Sequence, residues 1–236
     1  AATEAAEQTL AQAEALGFQP LVAESALRVG AIALEQGRDE AADRALTRAL
    51  HQGIAGRADR SAAEALLRRI FVRGVLLGQR ERAAEDEALV AAHAARFPTD
   101  GALQWLADIN RGAVAHSGHD LDRARDLYHR ALAVTEGPTA LELARTRINL
   151  GLLEYDARDF ERALTSYRAG VAEASAALGE GHPLVAQRQG SWSIGYGRPS
   201  GHVGGAPVAS RARAAMAIAV VAPARIPAGG ACTVRT

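Results

Sequence analysis

Apolar residues recur three and four apart through the first 180 residues, in stretches separated by Gly, Pro or short polar runs. Residues 3–16 read as one helix, ended by Gly17 and followed by Pro20, the usual Gly-then-Pro order at a helix terminus. Residues 21–36 form the next, with Leu21, Ala26, Leu27, Gly30 and Leu34 expected on its inner face. Gly37 turns the chain, and residues 39–52 return antiparallel with Ala42, Leu46, Ala49 and Leu50 inward. Further pairs are predicted over 61–77 and 80–96, 101–117 and 121–135, and 139–157 and 159–178. Turns fall at Gly78, at Gly118-His119-Asp120, and at the stops Pro98 and Gly137-Pro138.

The pairs repeat. Aligned on the small residue near the start of each second helix, they give Ala42, Ala83, Ala124 and Ala163, spaced by 41, 41 and 39 residues. Twelve residues earlier stand Gly30, Gly112 and Gly151, with Phe71 in the second copy. A period in this range predicts a helical solenoid, in which a pair cannot bury its apolar face alone and is stabilised by stacking. A mid-helix glycine costs about 1 kcal/mol in helix propensity. That cost is tolerated where two helices approach closely, and the four alanines serve the same approach from the opposite helix. Larger residues one turn apart, Phe160 with Leu164 and Leu127 with Ala131, are expected to fill the space between pairs. The fold class is therefore all-α, an array of antiparallel helix pairs.

Composition narrows the chemistry. All 27 basic residues are Arg, so a phosphate-loop Lys, a Schiff-base Lys and a kinase ATP-binding Lys are excluded within these 236 residues. One cysteine, Cys232, makes neither an internal disulfide nor a multi-cysteine zinc site, and it fits a reducing, cytoplasmic setting. No signal-peptide pattern opens the chain, and the small-apolar run from Ala214 to Ala222 is too short to span a bilayer, so no membrane partner is expected. The chain opens on Ala1 and its single Met is Met216. It reads as a piece of a longer protein or as a mis-started gene model.

Charge marks a boundary. Residues 1–180 hold all 27 acidic residues, whereas residues 181–236 hold none and six Arg. Gly181-His182-Pro183-Leu184 looks like the start of a fifth pair, yet no Leu follows Leu184, and residues 189–236 contain eight Gly and four Pro. Residues 1–188 are expected to form the repeat domain and residues 189–236 a disordered tail. Two origins stay open for that tail: a natural basic extension, or a gene model that left its reading frame near residue 188. Its arginines, Arg198, Arg211, Arg213, Arg225 and Arg235, are too sparse for a nucleic-acid surface, so no nucleic-acid partner is expected.

Little in the chain suggests a reaction centre. His116, His119, Asp120 and Asp122 sit together around one turn, but spacing fixes no third strong ligand, and a solvated polar turn is the expectation. His51, His93, His129 and His182 are scattered, and Ser166 and Ser191 lack His and Asp partners at informative spacing. No metal, cofactor or catalytic residue is expected.

The recurring residues resemble the tetratricopeptide repeat, in the longer form of about forty residues found in kinesin light chains. The match rests on Leu150-Gly151, Tyr155, Ala163, Tyr167 and the Gly-His-Pro at 181–183. Val29-Gly30, Phe71 and Arg111-Gly112 stand more loosely for the Leu-Gly pair in the earlier copies, and the likeness covers residues 5–187. It implies a right-handed superhelix whose first helices line a concave groove for a protein or peptide partner. Asn110 and Asn149, two residues before the repeat glycine, are the groove positions that the family uses on a peptide backbone, and an amide both donates and accepts. Arg28 and Arg69 occupy the same position in the earlier copies and would suit a carboxylate or phosphate.

A narrower likeness concerns the setting. The segment Ala15-Leu16-Gly17-Phe18-Gln19-Pro20-Leu21-Val22-Ala23-Glu24, together with residues 55–65, resembles the repeat region that follows the kinase domain in large bacterial serine/threonine kinases. It implies a kinase domain in cis, outside this chain. His119-Asp120-Leu121 is no catalytic loop, since it lacks the Arg between His and Asp. The expected function is a non-catalytic interaction scaffold. Repeats of a bacterial transcriptional regulator are the alternative, and a metal-dependent helical enzyme is a remote one.

Overall fold

The computed structural model describes residues 2–179, and among these it contains helices and turns but no strand. The helices are α1 (Ala2–Leu16), α2 (Gln19–Glu35), α3 (Asp39–Ala55), α4 (Asp59–Phe71), α5 (Arg80–Ala94), α6 (Gly101–Ser117), α7 (Leu121–Ala133), α8 (Ala140–Asp156) and α9 (Phe160–Leu178). A π turn, Val72–Leu76, prolongs α4. The antiparallel pairs are α2 with α3, α4 with α5, α6 with α7, and α8 with α9; α1 packs on α2 as the second helix of a preceding pair would. The result is an all-α solenoid of tetratricopeptide type. The boundary expected at residue 188, the start of a fifth pair, Cys232 and the tail lie outside the described residues.

Local chemistry explains the helix ends. Asp100, Asp120 and Asp159 each accept a hydrogen bond from a backbone N–H of the first turn they precede. Thr139 and Glu142 form a reciprocal capping box. Each such cap contributes about 1 kcal/mol. Pro20 lies in the first turn of α2, where its missing N–H costs nothing, so α2 begins at Gln19 instead of the expected residue 21. The left-handed residue that ends a helix is Gly17, Gly37 or Gly78 in three turns but Arg57, His119 or Arg158 in three others. In the Gly118-His119-Asp120 turn it is therefore His119, at φ 67°, that reverses the chain.

The small-residue register holds the pairs together. Ala42, Ala83, Ala124 and Ala163 are at most 1% exposed. A Cβ added to Gly30 would meet Leu46 at 2.9 Å, and one added to Gly151 would meet the Tyr167 backbone nitrogen at 3.0 Å. The second pair solves the problem differently. Phe71, where the other copies have glycine, is fully buried, and the helix immediately widens into the π turn. Gly74, inside that turn, becomes the close-approach residue, with Ala83 on one side and Val114 on the other.

One packing expectation is corrected: Leu21 is exposed, since it sits within the first turn of α2. Phe160 is 53% exposed and meets the Tyr155 ring edge-on at 5.4 Å; the pair that would follow α9 lies outside the described residues. Leu127 and Ala131 are buried as expected.

Candidate partner-binding surface

The first helices α2, α4, α6 and α8 run beside one another, and their mutual contacts decide what each candidate residue can do. Asn110 is fully buried, and its side-chain nitrogen donates to the backbone carbonyl of Leu67 at 2.8 Å, tying α6 to α4. Asn149 occupies the same register on α8 and is also fully buried, but neither of its amide atoms has a partner among the described residues. The link between α6 and α8 is made elsewhere. Trp105 donates from Nε1 to Thr146 Oγ1 at 3.0 Å, and His116 Nε2 lies 2.9 Å from Asp156 Oδ2.

Arg69 is drawn inward by charge. Its guanidinium forms a two-pronged contact with Asp86 of α5, at 2.9 and 2.6 Å, and both residues are buried. Arg73, on the π turn, bridges Asp86 to Asp43 of α3, and Thr47 accepts from both arginines. Burial opposes the charge on Arg73, yet hydrogen bonds and proximity to Asp43 and Asp86 raise its pKa above the ordinary value. Glu64 makes a parallel case on α4. Burial alone would raise its carboxyl pKa, but Arg68 and Arg60 hold it below the ordinary glutamate value.

The four groove candidates therefore do not share one surface. Arg28 alone stays partly accessible, paired with Glu24 one turn away at 2.8 Å. Arg69 and Asn110 are corrected from groove contacts to internal ties, because a buried polar group costs free energy unless it is paired within the fold. The small residues Gly30, Gly112, Gly151 and the four alanines sit where helices touch.

The histidine turn disperses its members. His116 is buried against α8, His119 sits in the left-handed turn, Asp120 caps α7, and Asp122 pairs with Arg125. Among the described residues, no group of three or more His, Cys, Asp or Glu side chains could hold a metal ion. No described helix is long and apolar enough to cross a membrane.

One buried carboxylate belongs to no motif in the sequence. Asp108 is buried on α6 and lines a cleft of about 380 Å³ bounded by α5, α6 and α7. Its signal in the sequence is a polar stripe, Gln104, Asp108 and Arg111, on one face of α6.

Residues 105–172 match the family described as tetratricopeptide repeat. The segment runs from α6 through α7 and α8 into α9. Comparison with curated proteins and with solved structures found no match.

Proposed function

We propose that this chain is a non-catalytic scaffold that offers the surface of its stacked first helices to a protein partner, and that it serves as the regulatory repeat region of a bacterial serine/threonine kinase. Tetratricopeptide repeats as a class are interaction modules, and a linear array suits that task because each added pair extends one continuous surface. The observation carrying the reading is the side-by-side stacking of α2, α4, α6 and α8 in a chain whose residues 105–172 match the repeat family. Arg28 is the groove candidate that remains reachable. An exposed arginine on α2 suits a carboxylate or phosphate on the partner.

Support for the kinase setting is the likeness of residues 15–24 and 55–65 to the repeats that follow such kinase domains. Two measurements test the whole. The DNA flanking the coding segment should encode a kinase domain upstream in the same frame; a DNA-binding domain there would favour the regulator reading instead. The purified chain should show no ATP hydrolysis, and turnover that survives repurification would overturn the scaffold reading.

A further inference from the structure

We propose that α9 is a dimer contact: two copies of this chain associate through its outward apolar stripe, antiparallel about a two-fold axis beside Leu164, with Glu161 of each copy against the partner's Arg168.

Helix α9 has two apolar sides. Ala163, Tyr167, Gly170 and Ala174 are buried, and this side faces α8, where Gly170 touches Ala144 and Ile148. Phe160, Leu164 and Val171 follow one another at four and seven residues beside that face and keep part of their surface in solvent. Phe160 is 53% exposed, and the Tyr155 ring meets it edge-on at 5.4 Å, which holds it in place.

The stacking of pairs does not require this stripe. Counted from the aligned alanines, the register of Leu164 holds Asp43 in α3, Ala84 in α5 and Arg125 in α7. The register of Phe160 holds Asp39, Arg80 and Leu121. Each of those three helices is followed by another pair. A following pair is therefore accommodated with a charged or small residue at the Leu164 position, and an ordinary fifth pair does not account for the leucine.

Charge selects the occupant. Glu161 and Arg168 are exposed and border the stripe seven residues apart, about two turns or 10 Å along the helix. That is too far for them to pair with each other, and neither has an ion-pair partner among the described residues. In α7 the residue in the register of Glu161, Asp122, is paired with Arg125. A second copy laid antiparallel, with the axis midway between the two charges, satisfies both at once: Glu161 meets the partner's Arg168, and Arg168 meets the partner's Glu161. The same placement sets Leu164 against the partner's Leu164 and Phe160 opposite the partner's Val171. A parallel copy would set each charge against its own kind, so the pattern also fixes the orientation. The contact closes at two chains. It rests on one helix, so the dimer is weak and concentration-dependent. It uses a second helix and leaves the surface of the stacked first helices free, so it stands or falls apart from the scaffold reading.

The test is sedimentation equilibrium on the full chain over roughly three decades of concentration. The data should fit a monomer–dimer equilibrium with no larger species. Glu161→Arg and Arg168→Glu should each weaken dimerisation on the order of tenfold or more, because each places two like-charged contacts across the axis. Mixing these two variants should restore a dimer, now of unlike chains, since one carries arginine and the other glutamate at both positions. The double exchange Glu161→Arg with Arg168→Glu should dimerise as the wild type does. A chain that is monomeric at every concentration, the outcome if residues 180–236 cover the stripe themselves, would overturn the assignment. So would assembly beyond two chains, single variants that dimerise as tightly as the wild type, or a mixture of the two that stays monomeric.

Discussion

A Cβ placed on Gly112 would lie 2.7 Å from Cε1 of Tyr128, whose ring is fully buried between α6 and its neighbours. The same relation, sixteen residues apart, recurs between Gly30 and Leu46 and between Gly151 and Tyr167. At Gly30 the obstruction is a leucine side chain, whereas at Gly151 it is the backbone of α9. Gly112→Leu and Gly151→Leu should each overpack the helix pair and cost on the order of 1–3 kcal/mol or more. Urea midpoints at constant m would show the loss. Replacing Tyr128 with Leu in the Gly112→Ala background should recover part of it, and a double mutant no better than the single would place the strain elsewhere.

Asp86 should be among the residues least tolerant of truncation. Asp86→Ala strips the buried Arg69 of its two-pronged partner, leaving it the Thr47 hydroxyl, and leaves Arg73 with Asp43 as its one carboxylate among the described residues. An uncompensated buried guanidinium costs about 3–5 kcal/mol. The loss should appear in denaturation at neutral pH. A change under 1 kcal/mol, roughly the value of a surface pair, would mean that water reaches Arg69.

Two carboxylates on first helices should give opposite pH dependence. Glu64 has a folded pKa below its ordinary value of 4.5. Its contribution is complete above that value and fades as pH falls through the folded pKa. The stability gap between wild type and Glu64→Gln should therefore close in acid. Asp108 has a folded pKa above its ordinary value of 3.8. Its contribution is complete below 3.8 and is lost as pH rises through the folded pKa. Wild type should gain on Asp108→Asn as pH falls, and the variant should be no less stable at neutral pH. Paired urea melts at stepped pH check both signs.

Helix α5 should open first among α2–α8. It meets the array through Ala83, Val90 and the ion pairs of Asp86 and Glu87, and leaves Leu89 half-exposed. Few buried apolar contacts mean a low local opening free energy. Hydrogen exchange should show α5 amides less protected than those of α6 or α8, with the difference widened in Asp86→Ala. Equal protection would mean that the ion pairs hold α5 as firmly as apolar burial holds its neighbours.

Much of this architecture follows from short-range properties of the chain. The alternation of apolar and polar residues at helical spacing, the glycine and aspartate signals at helix ends, and the side-chain volumes of Ala42, Ala124, Ala163, Gly112 and Gly151 are local, so helices, turns and the register of each pair can be read without a neighbour. The side of a helix that stays accessible is not local. Asn110 and Asn149 share one register and one residue type, yet Asn110 reaches the Leu67 carbonyl and Asn149 reaches nothing described, because α6 sits closer to α4 than α8 does to α6. Arg69 looked like a surface cation until Asp86, seventeen residues on, was brought against it by the fold of the second pair. Phe71 looked like a gap in the repeat, and only packing turned it into a π turn and opened the cleft over Asp108. Helical periodicity states which residues lie on the same face; whether that face meets water, a neighbouring helix or an empty cleft depends on distances between segments far apart in the chain.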